Sequence, residues 1–128
     1  MINEIFEILI VEDNIIIQQV IEICLLSLGY SVCGKVVSGE AAIDFIKKKK
    51  PDAILMDITL DGHTSGIDAA IIMKKSDPIP IIFLTSSTRA EDLERAKKIP
   101  ADGFIGKPFR ESDIHAALKS AIPRTTIQ

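Results

Sequence analysis

Hydrophobic residues in this chain follow two alternating periods. Short runs rich in β-branched and aliphatic side chains cover residues 5–11, 30–36, 53–56, 79–84 and 103–105, each of strand length. Between them apolar residues recur at helical spacing. The first helical pattern, about 14–28, puts Ile16, Ile17, Val20, Ile21, Cys24, Leu25 and Leu28 on one stripe, with Gly29 as its C-terminal stop. The second opens at Ser38, turns Ala41, Ala42, Phe45 and Ile46 inward, and is stopped by Pro51. The third spans about 67–75, after the polar loop Asp61-Gly62-His63-Thr64-Ser65-Gly66. The fourth begins at Thr88, which forms a capping box with Glu91; only Ala90, Leu93 and Ala96 give it apolar contacts, so it is expected to be the least firmly held helix. The last, about 112–122, carries Ile114, Ala117, Leu118 and Ala121 on one face and ends at Pro123.

Strands alternating with helices imply right-handed crossovers and an α/β fold: a doubly wound parallel sheet covered on both faces. The run 53–56 is apolar throughout, as a strand buried on both sides must be. Residues 1–123 read as one domain, and 124–128 as a tail or the start of a linker.

Composition narrows the function. The 128 residues suit a single domain with a real core, and 47% apolar against 26% charged residues is an ordinary globular balance. A net charge of -3 gives no reason to expect direct contact with nucleic acid or an anionic membrane. The run Lys47-Lys48-Lys49-Lys50 falls at a helix C-terminus, where cations suit the helix dipole, and reads as a solvated face. Cys24 and Cys33 read as small buried hydrophobes, a usage that fits a reducing cytoplasm. The N-terminus lacks the marks of a signal peptide, and no apolar run is long enough to span a bilayer. His63 and His115 are isolated and read as loop and helix-surface residues.

The informative chemistry lies at the strand ends. Strand one runs into Glu12 and Asp13, strand three into Asp57, strand four into Thr85 and strand five into Lys107-Pro108. Parallel strands would bring these residues to one sheet edge, where open α/β folds bind ligands. Carboxylates on strands about 4.8 Å apart repel, and a hard divalent cation with oxygen ligands, Mg²⁺, removes the conflict. Asp57 stands alone at its strand end and is the natural nucleophile toward a phosphoryl group. Glu12 and Asp13 would hold the cation, Lys107 would meet one phosphoryl oxygen and Thr85 another. Taken singly, Thr85 reads as a turn cap, Lys107 as a solvated lysine and the acids as loop carboxylates. The recurrence along the chain favours the joint reading.

Val11-Glu12-Asp13-Asn14, Leu55-Met56-Asp57, Phe83-Leu84-Thr85-Ser86 and Lys107-Pro108-Phe109 together resemble the signature of response-regulator receiver domains of two-component signalling. The resemblance covers about residues 5–122. It implies a five-stranded parallel sheet in the order 2-1-3-4-5 flanked by five helices. It implies that Asp57 accepts a phosphoryl group from a histidine kinase or phosphotransfer protein, and that the chain catalyses only its own phosphorylation and dephosphorylation. It further implies Mg²⁺ held by Glu12, Asp13, Asp57 and the backbone carbonyl of Thr59, a switch built from Thr85 and Phe104, a cis Lys107–Pro108 bond, and output through the face of helix four, strand five and helix five. Phe104 also reads as plain core. The chain departs from the commonest pattern after Asp57: a proline is missing and Gly66 lies nine residues on rather than eight. Thr59 and Ser87 occupy positions that tune acyl-phosphate hydrolysis in the family.

Two other readings compete. An aspartate-nucleophile phosphohydrolase is the alternative suggested by Asp57-Ile58-Thr59-Leu60-Asp61-Gly62, but such enzymes place a second acid where Thr59 stands. A flavodoxin-like cofactor binder ranks last, because Glu12-Asp13 follows strand one in place of a phosphate loop. The sequence names no cognate kinase or downstream protein target.

Overall fold

The computed structural model describes residues 5–58, 60, 65–85, 94, 97–98 and 101–122. Five strands, β1 (Glu7–Val11), β2 (Ser31–Val36), β3 (Ala53–Asp57), β4 (Ile81–Thr85) and β5 (Gly103–Gly106), form one sheet in the order β2-β1-β3-β4-β5, with every pairing parallel. The described helices are α1 (Ile15–Ser27), α2 (Gly39–Lys48), α3 (Gly66–Ser76) and α4 (Glu111–Ala121). Of the helix expected from Thr88, Glu94 and Lys97 are described and helical; its other residues, apart from Lys98, and the tail expected at 124–128 lie outside the described residues.

The pleat sorts the core into two layers. Leu9, Val11, Ile54, Met56, Ile81 and Phe83 project to one face and pack on Ala42 and Ile46 of α2 and Ile67, Ala70 and Met73 of α3. Ile8, Ile10, Leu55, Ile82, Leu84 and Ile105 project to the other and meet Ile21 and Leu25 of α1 and Ile114 and Leu118 of α4. Alternate residues facing opposite sides, both sides buried, is what makes β3 apolar at every position before Asp57.

Caps fix the helix starts. The Asn14 carboxamide oxygen accepts from the N–H groups of Ile16 and Ile17, at 3.0 and 3.1 Å. Ser38 and Ser65 cap α2 and α3 through bonds of 3.1 Å from Ala41 and Asp68 N–H. Gly29 takes a φ of 93° after α1, a left-handed turn that glycine makes at no steric cost.

Three expectations need correction. Ile16 and Val20, placed on the inward stripe of α1, are 72% and 44% exposed. Ile21 and Leu25 are buried as expected, with Ile17, Cys24 and Leu28 packed beside them, but Gln18 joins the inward face, because α1 is apolar nearly all round and its period alone does not select a face. Strand four starts at Ile81, not 79, since Pro80 has no N–H for the ladder; its carbonyl still accepts from Ile54 N–H at 2.9 Å. Cys24 and Cys33 are free and only half-buried. Cys33 sits where the β1–β2 register slips, a bulge that bends this edge strand.

Three of the four lysines in the run approach acidic side chains. Lys49 meets Glu7 at 3.2 Å, Lys50 meets Asp77 at 2.8 Å and Lys47 approaches Asp44 at 3.9 Å. His115 lies half-buried against Tyr30, with ring centroids 6.5 Å apart, and its Nδ1 has no hydrogen-bond partner. His63 lies outside the described residues.

Candidate functional site

The register carries strand chemistry to one edge. Val11 pairs with Met56, so Glu12 and Asp57 leave neighbouring strands side by side. Asp57 pairs with Leu84 and Thr85 with Gly106, which brings Thr85 and Lys107 to the same edge. Carboxylate oxygens of Glu12, Asp13 and Asp57 all lie within 4.8 Å of one another. Lys107 Nζ enters this group and donates to Asp57 Oδ2 at 2.9 Å and to Glu12 Oε1 at 3.1 Å. Glu12 Oε2 accepts from Asn14 N–H at 3.2 Å, so both oxygens of that carboxylate are held.

Burial makes the charges costly. Glu12 is 1% exposed and Asp57 5%. Desolvation is the main force pushing the Glu12 carboxyl up to about 7, aided by the nearby Asp57 charge and opposed by the Asn14 N–H and by Lys107. Burial pulls the Lys107 ammonium down, but its hydrogen bonds to Asp57 and Glu12 outweigh this and hold it above the ordinary lysine value. The carboxylates of Glu12, Asp13 and Asp57 crowd together at this edge, and a divalent cation would offset their mutual repulsion. Oxygens gathered within 4.8 Å of one another are near enough to share one small cation with modest side-chain adjustment. The all-oxygen donor set fits Mg²⁺, which Glu12, Asp13 and Asp57 could hold. Thr59, the fourth expected holder, lies outside the described residues.

The flanking residues divide. Thr85 ends β4 half-buried, and its carbonyl accepts from Lys107 N–H at 2.8 Å. Phe104 is 44% exposed rather than core, with its ring 5.8 Å from that of Phe83. Lys107–Pro108 is cis, as the resemblance implied. Gly66 sits directly on the Asp57 backbone: its N–H donates to Ile58 O at 3.1 Å, and a Cβ there would strike Asp57 O. An apolar groove of about 270 Å³, lined by Ile17, Val20, Lys107, Pro108 and Phe109, opens beside the carboxylates.

Reading the sequence missed Gln18. Its side chain is buried under the acid pair and bonds the ends of β1 and β2. The available signal was an amide placed between Ile17 and Ile21 on the core side of a helix.

Comparison with known proteins agrees with this geometry. The profile of the response regulator receiver domain matches residues 8–119. The chain is 36% identical over 121 residues to the phosphate regulon transcriptional regulatory protein PhoB of Pseudomonas aeruginosa, covering 92% of this chain and 52% of that one. It is 32% identical over 117 residues to the transcriptional regulatory protein PdtaR of Mycobacterium tuberculosis, covering 91% and 57%. The chain thus spans about half the length of the curated relatives it matches. Among solved structures, the signal receiver domain of a modulated diguanylate cyclase from Desulfovibrio desulfuricans superposes with a TM-score of 0.88 at 35% identity, covering 93% of this chain and 94% of that one. The receiver domain of the sensor histidine kinase PA1611 from Pseudomonas aeruginosa, which has a magnesium ion coordinated in its active site cleft, gives 0.82 at 34%, covering 91% and 96%.

Proposed function

Because the chain belongs to the response regulator receiver domain family, we propose that Asp57 is its phosphoacceptor and that phosphorylation of Asp57 is the signal it carries. The observation that supports this most is the meeting of Glu12, Asp13, Asp57 and Lys107 at one buried sheet edge.

In this reading Asp57 Oδ attacks the phosphorus of a phosphohistidine. The P–N bond breaks as the P–O bond forms, and the imidazole leaves with its electron pair. Glu12, Asp13, Asp57 and the Thr59 carbonyl would hold Mg²⁺, which would supply neutralisation of phosphoryl charge. Lys107 releases its bond to Asp57 and meets a phosphoryl oxygen as a point charge. The Thr85 hydroxyl bonds another. That movement clears space toward which Phe104 turns, and the strain passes to β5, α4 and the helix expected from Thr88.

The donor is a histidine kinase or phosphotransfer protein, whose body rests on the groove beside Lys107 and on the exposed Ile16, Val20 and Ile23 of α1. Output passes to a protein target rather than directly to nucleic acid, in keeping with the acidic total and the locally paired lysines. Among the described residues no helix is long and apolar enough to cross a membrane, and we place the reaction in the cytoplasm. The family is one of signalling proteins, and chemistry here is confined to making and losing the acyl phosphate on this chain.

Incubation with a small phosphodonor and Mg²⁺ tests the reading. One slowly lost acyl phosphate per chain is expected. Sustained turnover of phosphate monoesters would instead establish a phosphohydrolase.

A further inference from the structure

Gln18 is an anomaly that the phosphoacceptor reading leaves unused. It projects from the core side of α1, where Ile21 and Leu25 are fully buried and Ile17 and Cys24 pack beside them. At 5% exposure its amide has left water, which costs free energy unless its polar atoms are bonded. Leu or Met would fill the same space without that cost. The bonds explain the choice. Nε2 donates to Glu12 O at 3.1 Å and to Val36 O at 3.2 Å. Two carbonyl acceptors demand the NH₂ side of the amide. Val36 O also accepts from Glu12 N–H at 3.0 Å, so one side chain ties together the last peptides of β1 and β2.

The Glu12 carbonyl belongs to the peptide that joins Glu12 to Asp13. That unit is planar, so fixing its oxygen fixes the plane from which both acidic residues depart. The Glu12 carboxylate is anchored separately by Asn14 N–H and Lys107. Without the Gln18 bond, the strand end would keep its side-chain contacts but lose the backbone reference between the two metal-facing acids.

We propose that Gln18 is a positioning residue that sets the Glu12–Asp13 peptide plane and thereby aims both carboxylates at the divalent ion. The inference rests on the metal site described above. Outer groups that orient metal ligands are commonly worth about 10- to 100-fold in affinity.

The test is a Mg²⁺ titration of the full chain followed by backbone amide NMR, with thermal unfolding of each variant in EDTA. Gln18→Met keeps the length and removes the donor. Gln18→Asn keeps an amide but withdraws it by one methylene, and serves as the deciding variant should Gln18→Met fail to fold. Gln19→Met, one residue along on the exposed side of α1, is the control. Mg²⁺ affinity should fall about tenfold in Gln18→Met and less in Gln18→Asn, with the Glu12 and Asp13 amide signals displaced in both. Gln19→Met should stay within about twofold of the parent. A packing role alone would lower the unfolding temperature and leave Mg²⁺ affinity within about twofold, which would overturn the proposal. A parent chain with no affinity for Mg²⁺ would remove the metal site and this inference together, whereas a parent that binds beside an equally tight Gln18→Met would remove only the inference.

Discussion

Lys107 bonds two carboxylates that lie buried beside each other. Replacing it with Met removes an ammonium that both acids bond. Breaking a buried ion pair costs several kcal/mol, but Glu12 can take up a proton in response, so a loss of about 1–3 kcal/mol is expected near neutral pH in EDTA. Urea unfolding measures it, and added Mg²⁺ should restore much of the loss by supplying the missing charge. Glu12 sets the pH behaviour. Its carboxyl is raised from 4.5 to about 7, so the folded chain holds a proton that the unfolded chain releases at lower pH. Its contribution is therefore present in full below about 4.5 and lost as pH rises through about 7. Metal requires the deprotonated form. Calorimetry should show Mg²⁺ affinity rising through the same pH window, with proton release seen as buffer-dependent heat. A pH-independent affinity between 5 and 8 would contradict the assignment of Glu12 as a holder.

At the scale of elements, the helix starts are fitted closely to the strand ends. Gly66 is the sharpest case. It begins α3 against the carbonyl of Asp57, in a space that a methyl group cannot share with backbone. Gly66→Ala should cost at least about 2 kcal/mol in denaturant unfolding and slow phosphorylation of Asp57, because the clash falls on the acceptor's own backbone. Gly34→Ala offers a comparison away from the site: its Cβ would meet the Phe45 ring at 2.5 Å, so it should destabilise while leaving phosphorylation unchanged. These contacts show what the sequence made legible. Continuous apolar runs ending in Glu12, Asp57, Thr85 and Lys107 announce buried parallel strands with chemistry at one edge, since two-faced burial admits few polar residues. The period of α1 was ambiguous because Ile15, Ile16, Val20, Ile23 and Leu26 crowd the outward side, and only tertiary packing on Ile21 and Leu25 chooses the inward one. Lys107 was foreseen as a phosphoryl contact, yet its bond to Glu12 was not, because that pairing spans 95 residues and depends on register. The buried amide of Gln18 broke the apolar pattern in plain view, but its carbonyl partners come from two strand ends.

On the scale of the whole molecule, one packed sheet joins the carboxylate cluster to β5 and α4. Thr85 is hydrogen-bonded to Lys107 through the backbone, and Phe83 and Phe104 face each other across β4 and β5. A change at Asp57 thus has a short route to a face on which Phe104 stands 44% exposed. Amide exchange with and without beryllofluoride should differ most on β5 and α4; equal protection there in both states would count against a switch on that face. All of this presupposes covalent chemistry at a single carboxylate. The direct measurement is incorporation of labelled phosphoryl from a small donor into the parent chain and into Asp57→Asn, each with Mg²⁺ and with EDTA. The account predicts label in the parent with Mg²⁺ only, mapped to Asp57 and lost on mild alkaline or hydroxylamine treatment. Equal labelling of Asp57→Asn, or labelling of the parent undiminished by EDTA, would contradict it.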